Sequence, residues 1–424
     1  MADLLITDVT LPDGRRVDLG IHDQMLVDPA DLIRPTLIRA SGLIALPGLV
    51  DLHTHLREPS PHPAETIATG TAAAARGGFT AVFAMANTNP VTDTASRARD
   101  MAARTRAASA EVLTVGAITD GLDGATLSDM AGMRAEGVTY FSDDGRCVMD
   151  AGLMRRAMLD ARALGAVVGQ HCQDHTLAGA DAYLPDCCSP ASEDSIAWPW
   201  SAESTIVARD VQLSLDTRAR LHVCHVSTAE SVDVIRWAKS RGIPVTAEVT
   251  PHHLLLGADL LASADTTFKV NPPLRSDEDR DAVRHALADG TIDIVATDHA
   301  PHLASDKDKP FPSAKPGMVG LEWALAVVQH TMVDTGLMTW TDVARRMSHE
   351  PARIGQISSR QGRPLTPGEP ATLTLIDPAR RTVVDRDAAV TQGRNNPYHG
   401  MELPDPILAT FWAGRSTYRS PALM

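Results

Sequence analysis

Leu46-Pro47-Gly48-Leu49-Val50-Asp51-Leu52-His53-Thr54-His55-Leu56-Arg57-Glu58-Pro59 is the stretch around which this chain is organised. An apolar run punctuated by proline and glycine reads as a buried strand, and it ends in two histidines two residues apart, whose side chains leave the same face. Two imidazoles therefore converge. Imidazole is the commonest metal ligand, and a pair held on a rigid strand loses little freedom in closing on an ion. Two buried histidines satisfied by backbone carbonyls would look the same from this stretch alone, so the rest of the chain has to decide between them.

Downstream the pattern is strand, loop, helix, repeated. Further strands are predicted at 80–85, 111–115, 138–141, 166–169, 221–224, 244–249 and 292–296. Helices are predicted at 64–75 with Gly77-Gly78 as the stop, at 151–164 stopped by Gly165, at 202–215, and at 229–241 stopped by Gly242. With the opening strand this makes eight alternating units whose strands are short and nearly continuously apolar. Such a series predicts an α/β fold of the (β/α)8 TIM-barrel type rather than an open sheet. An open doubly wound sheet would place a glycine-rich phosphate loop after its first strand, where this chain has His-x-His. Outside that region, segments at 4–6, 16–21, 371–376, 382–384 and 408–414 carry strand signals too short for a core of their own, so the two termini are expected to combine into one small β domain. The predicted division is 1–46 and 358–424 for the small β domain and 47–357 for the barrel. The stretch 303–317, with Lys307, Lys309, Lys315 and three prolines, has no periodicity and is expected to be a long loop over the site.

Composition narrows the function classes. The chain has 424 residues, 44% hydrophobic and 22% charged, ordinary for a globular enzyme, and its net charge of −14 comes without a basic run of the kind that grips a phosphate backbone. Nucleic acid is not expected as a partner. No apolar stretch is long enough to span a bilayer and the first residues lack the basic start of a secretory signal, so a cytoplasmic location is expected. Five cysteines do not suggest a disulfide framework; Cys187-Cys188 reads as a loop feature, and Cys147, Cys172 and Cys224 as packing residues.

In a barrel of this kind the active site lies at the carboxyl ends of the strands. Strand one ends in His53 and His55, strand four in Ser142-Asp143-Asp144-Gly145, strand five in Gln170-His171, strand six in His225-Val226-Ser227, and strand eight in Thr297-Asp298-His299-Ala300-Pro301-His302. Asp143-Asp144-Gly145 alone is a turn, and a lone buried histidine is ordinarily structural. Together they offer nitrogen and oxygen donors suited to zinc, in a number that either holds two ions or frees one carboxylate for proton transfer. A cation there makes water acidic enough to attack near neutrality and polarises the carbonyl under attack, and Asp298 is placed to move the proton to a departing nitrogen. Hydrolysis of an amide-like bond follows. Arg57, the amide of Asn87 and His302 on the same rim point to a small anionic substrate with amide edges.

These residues resemble a known family. Asp51-Leu52-His53-Thr54-His55-Leu56-Arg57-Glu58-Pro59 and Ala296-Thr297-Asp298-His299-Ala300-Pro301-His302 followed by Lys307 resemble the two signature motifs of dihydroorotases of the amidohydrolase superfamily. Met85-Ala86-Asn87-Thr88-Asn89-Pro90, Val249-Thr250-Pro251-His252-His253-Leu254 and Lys269-Val270-Asn271-Pro272-Pro273-Leu274-Arg275 are similar to the bacterial type I members, and Gly368-Glu369-Pro370-Ala371 with Asn396-Pro397-Tyr398-His399-Gly400 to their terminal β domain. The resemblance implies metal ligands at His53, His55, Asp144, His171, His225 and Asp298, holding one or two Zn2+ ions, with Asp298 also catalytic. It implies that Arg57, Asn87 and His302 bind the substrate carboxylate and that Asn271 contacts the pyrimidine ring. The implied reaction interconverts N-carbamoyl-L-aspartate and L-dihydroorotate, in a homo-oligomer with room for association with aspartate carbamoyltransferase. Many relatives carry a lysine at the end of strand four where this chain has Asp144; Asp143 is the alternative ligand there, and spacing to His171 favours Asp144. The competing readings are another cyclic amidase, of hydantoinase or allantoinase type, and a catalytically inactive subunit that scaffolds the transferase; the six intact donors argue against the second.

Overall fold

The chain changes sheets at Gly48. In the computed structural model, which describes residues 3–61, 64–188 and 196–423, Ile44–Pro47 pairs antiparallel with Leu373–Ile376, whereas Leu49–Thr54 pairs in parallel with Phe79–Ala84. A Cβ on Gly48 would lie 2.3 Å from Thr80 Oγ1 and 2.9 Å from Thr372 Cγ2, so only glycine fits the crossing. The stretch that opens as one predicted strand is thus two, divided between two sheets.

The first sheet draws on both ends of the chain. Arg415–Arg419, Ile407–Trp412, Leu373–Ile376, Ile44–Pro47, Leu4–Thr10, Arg16–His22 and Met25–Val27 follow one another across it, and Thr36–Arg39 lies parallel to Leu4–Thr10. Its apolar face is filled by Ile6, Val9, Leu19, Leu373, Leu375 and Phe411, a cluster no single hairpin could assemble. The strand expected at 382–384 forms as Arg381–Val383 but pairs with Glu402–Pro404 in a separate two-stranded ribbon, not in this sheet.

The alternating region contains all eight expected strands. Leu49–Thr54, Phe79–Ala84 and Glu111–Thr114 form one parallel run, and Tyr140–Ser142, Val167–Gln170, Arg220–Val223, Val245–Val249 and Ile294–Val295 form another. Backbone contacts join the runs at both margins. The Gly116 N–H donates to Tyr140 O (3.0 Å) and the Ser142 N–H to Gly116 O (2.8 Å), while the His55 N–H donates to His299 O (2.9 Å).

Most of these strands are buried on both faces, which is why they read as continuous apolar runs. Val50, Leu52, Phe83, Tyr140 and Ile294 pack in one cluster, and the helices cover the strands with Leu153, Met154, Ile206, Val211 and Ile235. The helices fall where their signals put them: Ile67–Arg76, Ala151–Ala163, Ser201–Thr217 and Ala229–Ser240. Thr66, Asp150 and Thr228 accept backbone N–H groups at the first turns, so three of these helices start with a side-chain cap. The stretch 303–317 departs from the loop expectation only slightly, as short helical turns at Ala304–Lys307 and Phe311–Ser313. All five cysteines are free. Among the described residues, no helix is long and apolar enough to cross a membrane.

Candidate active site

His53 and His55 stand at the end of Leu49–Thr54, and the other donors come from the segments that follow four more parallel strands: Asp144 after Tyr140–Ser142, His171 after Val167–Gln170, His225 after Arg220–Val223 and Asp298 after Ile294–Val295. All six are buried. Asp144 is the hub. Its Oδ1 lies 3.2 Å from His53 Nε2, 3.5 Å from His225 Nε2 and 3.7 Å from His171 Nδ1, and its Oδ2 lies 3.3 Å from His55 Nε2. Asp298 Oδ1 is 2.9 Å from His55 Nε2 and 3.5 Å from His53 Nε2, and His171 Nδ1 faces His225 Nε2 at 2.9 Å. The neighbouring Asp143 turns away, accepting from the backbone N–H groups of Ile118 (2.7 Å) and Thr119 (3.0 Å) and from the Thr119 hydroxyl.

The cluster pulls positive charge into its centre. Burial alone would push His53 down, but the charges of Asp144, Glu248 and Asp298 hold it well above the usual imidazole range. Burial would raise Asp144, yet His53, His171 and His225 hold it well below the usual carboxylate range; Asp298 is likewise lowered against its burial, by His53 and His55. At the middle, His53 Nε2 and Asp144 Oδ1 are buried without a hydrogen-bond partner among the described residues, a costly arrangement unless something else engages them. The ligand atoms of His53, His55 and Asp298 lie within 4.8 Å of one another, as do those of His53, Asp144 and His225. Imidazole nitrogen and carboxylate oxygen around two orphaned atoms fit a divalent metal ion.

Side chains around the cluster aim it. Glu248, at the end of Val245–Val249, accepts from His53 Nδ1 (2.6 Å), His222 Nε2 (3.0 Å) and the His225 backbone N–H (3.3 Å). A carboxylate lowered to about 2, against its burial, by His53 and His222 can only accept, so a proton sits on His53 Nδ1 and Nε2 is the nitrogen turned to the centre. Asn87 Oδ1 takes the Nδ1 proton of His55 (3.0 Å) and Gln173 Oε1 the Nε2 proton of His171 (3.0 Å). Sequence reasoning missed Glu248 and Gln173. The available signal for Glu248 was a lone carboxylate inside the apolar strand Val-Thr-Ala-Glu-Val; Gln173 carried none. Arg57, His225 and Asp298 also adopt φ values of 59°, 32° and 45°, the left-handed region that non-glycine residues rarely occupy.

Beside the cluster lies a cavity of about 180 Å3, room for one small ring. Arg57, Asn87, Asn271 and His302 line it together with His55, Asp144, His171, His225 and Asp298, so the cavity unites nine of the ten sequence-predicted site residues, with His53 directly beneath. Arg57 is half-buried; its Nε donates to Pro301 O (3.1 Å) and no carboxylate lies within ion-pair distance among the described residues. Asn271 gives one amide N–H to Gln173 Oε1 (3.1 Å), its buried Oδ1 has no partner among the described residues, and His302 gives Nε2–H to Pro316 O (2.8 Å). Burial, then the charges of Arg57 and Lys307, push His302 down to about 3, so its ring is neutral. A wider cavity of about 970 Å3 adjoins this one, sharing Gly145, Asn271 and Pro316 with it.

A family model described as dihydro-orotase-like matches residues 42–231. The chain is 52% identical over 384 residues to a dihydroorotase of Streptomyces coelicolor, covering 90% of this chain and 89% of that one. It is 49% identical over 417 residues to a dihydroorotase of Mycobacterium tuberculosis, covering 97% and 95%. Among solved structures, an L-hydantoinase from Arthrobacter aurescens superposes with a TM-score of 0.89 over 100% of this chain and 98% of its own at 23% identity, a likeness of fold. The chain belongs to the dihydroorotase family.

Proposed function

We propose that this protein catalyses the reversible, metal-assisted interconversion of N-carbamoyl-L-aspartate and L-dihydroorotate in de novo pyrimidine synthesis, as a bacterial type I member of the amidohydrolase superfamily. The observation that carries this reading is a half-buried guanidinium, with no carboxylate partner among the described residues, on the wall of a small cavity whose floor is a six-donor cluster. Hydantoin and allantoin rings carry no carboxylate for Arg57 to grip, which favours dihydroorotate over the hydantoinase reading that the fold alone would allow.

In this reading the eight parallel strands close into a (β/α)8 barrel, supported by the backbone contacts at Gly116 and His299, and 1–46 with 358–424 form the small β domain. His53, His55, Asp144, His171, His225 and Asp298 hold one or two Zn2+ ions; Asp144 in place of the lysine of many relatives supports the type I assignment. Bound zinc supplies Lewis-acid polarisation of the ring carbonyl and acidity to the attacking water. Arg57 and Asn87 hold the carboxylate, joined by His302 once its Nε2–H turns from Pro316 O to the substrate, and Asn271 holds the ring amides. Asp298 accepts the proton of the attacking water and returns it to the nitrogen that leaves as the ring C–N bond breaks; closure reverses each step and consumes the second carboxylate of the open chain. The protein is read as cytoplasmic and self-associating, and a complex with aspartate carbamoyltransferase is testable by co-elution.

The direct test is turnover of L-dihydroorotate, hydantoin and allantoin by one purified sample. Only dihydroorotate should be consumed at an enzymatic rate; a preference for either of the others overturns the reading. Arg57→Ala should raise KM for dihydroorotate roughly 10- to 100-fold, the range of a charge-assisted hydrogen-bond pair, with kcat changed far less. Steady-state kinetics check this, and an unchanged KM would remove Arg57 from the substrate.

A further inference from the structure

The segment that closes the substrate cavity is pinned from below by a buried lysine that has no carboxylate within ion-pair distance among the described residues. Lys307 is buried, and its Nζ donates to three backbone carbonyls: Lys315 O (2.9 Å), Gly317 O (3.1 Å) and Lys269 O (3.3 Å). Burial, then Lys269, lower Lys307 to about 7; in its protonated form three N–H donors meet three acceptors, so the amine is saturated by the ends of two different segments. One of these runs from Lys269 to Asn271, the other ends at Gly317.

Gly317 is where the loop touches the site. With φ 143° it packs so closely on His302 that a Cβ would lie 2.7 Å from Nε2, and its N–H donates to Lys269 O (2.9 Å). Its carbonyl is shared between Lys307 and Asn395, whose Nδ2 donates to Gly317 O (3.0 Å) and to Ala300 O (2.9 Å). The Oδ1 of Asn395 in turn accepts the backbone N–H of His302 (3.1 Å). Asn395 is buried and lies about ninety positions further along the chain, so the loop is held both from within and by the segment leading to the C-terminus.

We propose that Lys307 and Asn395 are positioning residues: a buried clamp on the Gly317 carbonyl that sets His302 and Asn271 at the distance the substrate needs. Neither touches the cavity. Removing the clamp frees the loop to move away from His302, which loosens substrate binding and leaves the metal cluster and Asp298, held by other strands, as they are. This inference rests on the substrate roles given above to His302 and Asn271.

The test compares Lys307→Met, Lys307→Arg, Asn395→Ala and His302→Ala in dihydroorotate turnover, with zinc content measured on each sample. Lys307→Met should raise KM about 10-fold, the scale of a lost charged hydrogen bond, with kcat within about 3-fold of the parent and zinc unchanged. Lys307→Arg, which restores a cation with several donors, should recover most of that loss, and Asn395→Ala should shift KM in the same direction. A raised KM in His302→Ala with a normal KM in Lys307→Met and Asn395→Ala overturns the clamp. Normal KM in His302→Ala instead sinks the substrate role of His302. Loss of zinc or of kcat in the clamp variants also overturns the proposal, since the effect would then be general unfolding. If Lys307→Met does not fold, Asn395→Ala decides.

Discussion

Asp298→Asn is expected to lower kcat for dihydroorotate by about 10^3-fold, within the range removed with a general acid–base group, while most of the bound metal stays. The substitution keeps the volume of the side chain and an oxygen that can face the same centre as His55 Nε2, 2.9 Å away in the parent. It removes the ability to take a proton. Asp298 is suited to that task because His53 and His55 keep its carboxyl below the usual range despite burial, so the base is ionised whenever substrate arrives. Five donors remain on other strands, with Asp144 as their hub, and metal retention follows from them. Metal analysis alongside steady-state kinetics separates the two effects. Ordinary turnover in the variant would refute the assigned role; loss of all metal would make Asp298 a ligand first.

Glu248→Gln should weaken zinc binding by roughly 10- to 100-fold, the cost usual for losing the group that orients a ligating histidine. Glu248 accepts from His53 and His222 with its two oxygens. Glutamine offers one oxygen and one NH2, so one imidazole N–H meets a donor. If His53 yields by moving its proton to Nε2, the lone pair leaves the centre of the cluster. His222 is less free to yield, because its Nδ1 is engaged with Thr246 Oγ1 at 2.8 Å. Competition with a chromogenic chelator measures the shift, and parent-like affinity would show that His53 needs no partner to hold its orientation.

Much of this architecture was legible because burial writes itself into sequence. Strands buried on both faces appear as short apolar runs, and helix stops appear as Gly77, Gly165 and Gly242, so the order of elements could be read directly. The clustering of the six donors was legible for a related reason: side chains at strand ends share one rim whatever their separation in the chain. The crossing at Gly48 was not, since an apolar run reads the same whether it serves one sheet or two, and what divides it is contact with Thr80 and Thr372. Arg381–Val383 misled in the same way, because strand propensity does not name a partner. Glu248, Gln173, Lys307 and Asn395 act through hydrogen bonds to residues far away in sequence, and no local pattern encodes such a pairing. The choice between Asp143 and Asp144 needed the fold too: adjacent carboxylates on one turn point opposite ways, one to the Ile118–Thr119 backbone and the other to four imidazoles.

Anomalous diffraction at the zinc edge, from crystals of protein that turns over dihydroorotate, tests the central claim most directly. The account predicts density among His53, His55, Asp144, His171, His225 and Asp298, with His53 Nε2 at a bonding distance of about 2.0–2.1 Å. A fully active crystal whose anomalous density lies elsewhere, or which shows none, would contradict it.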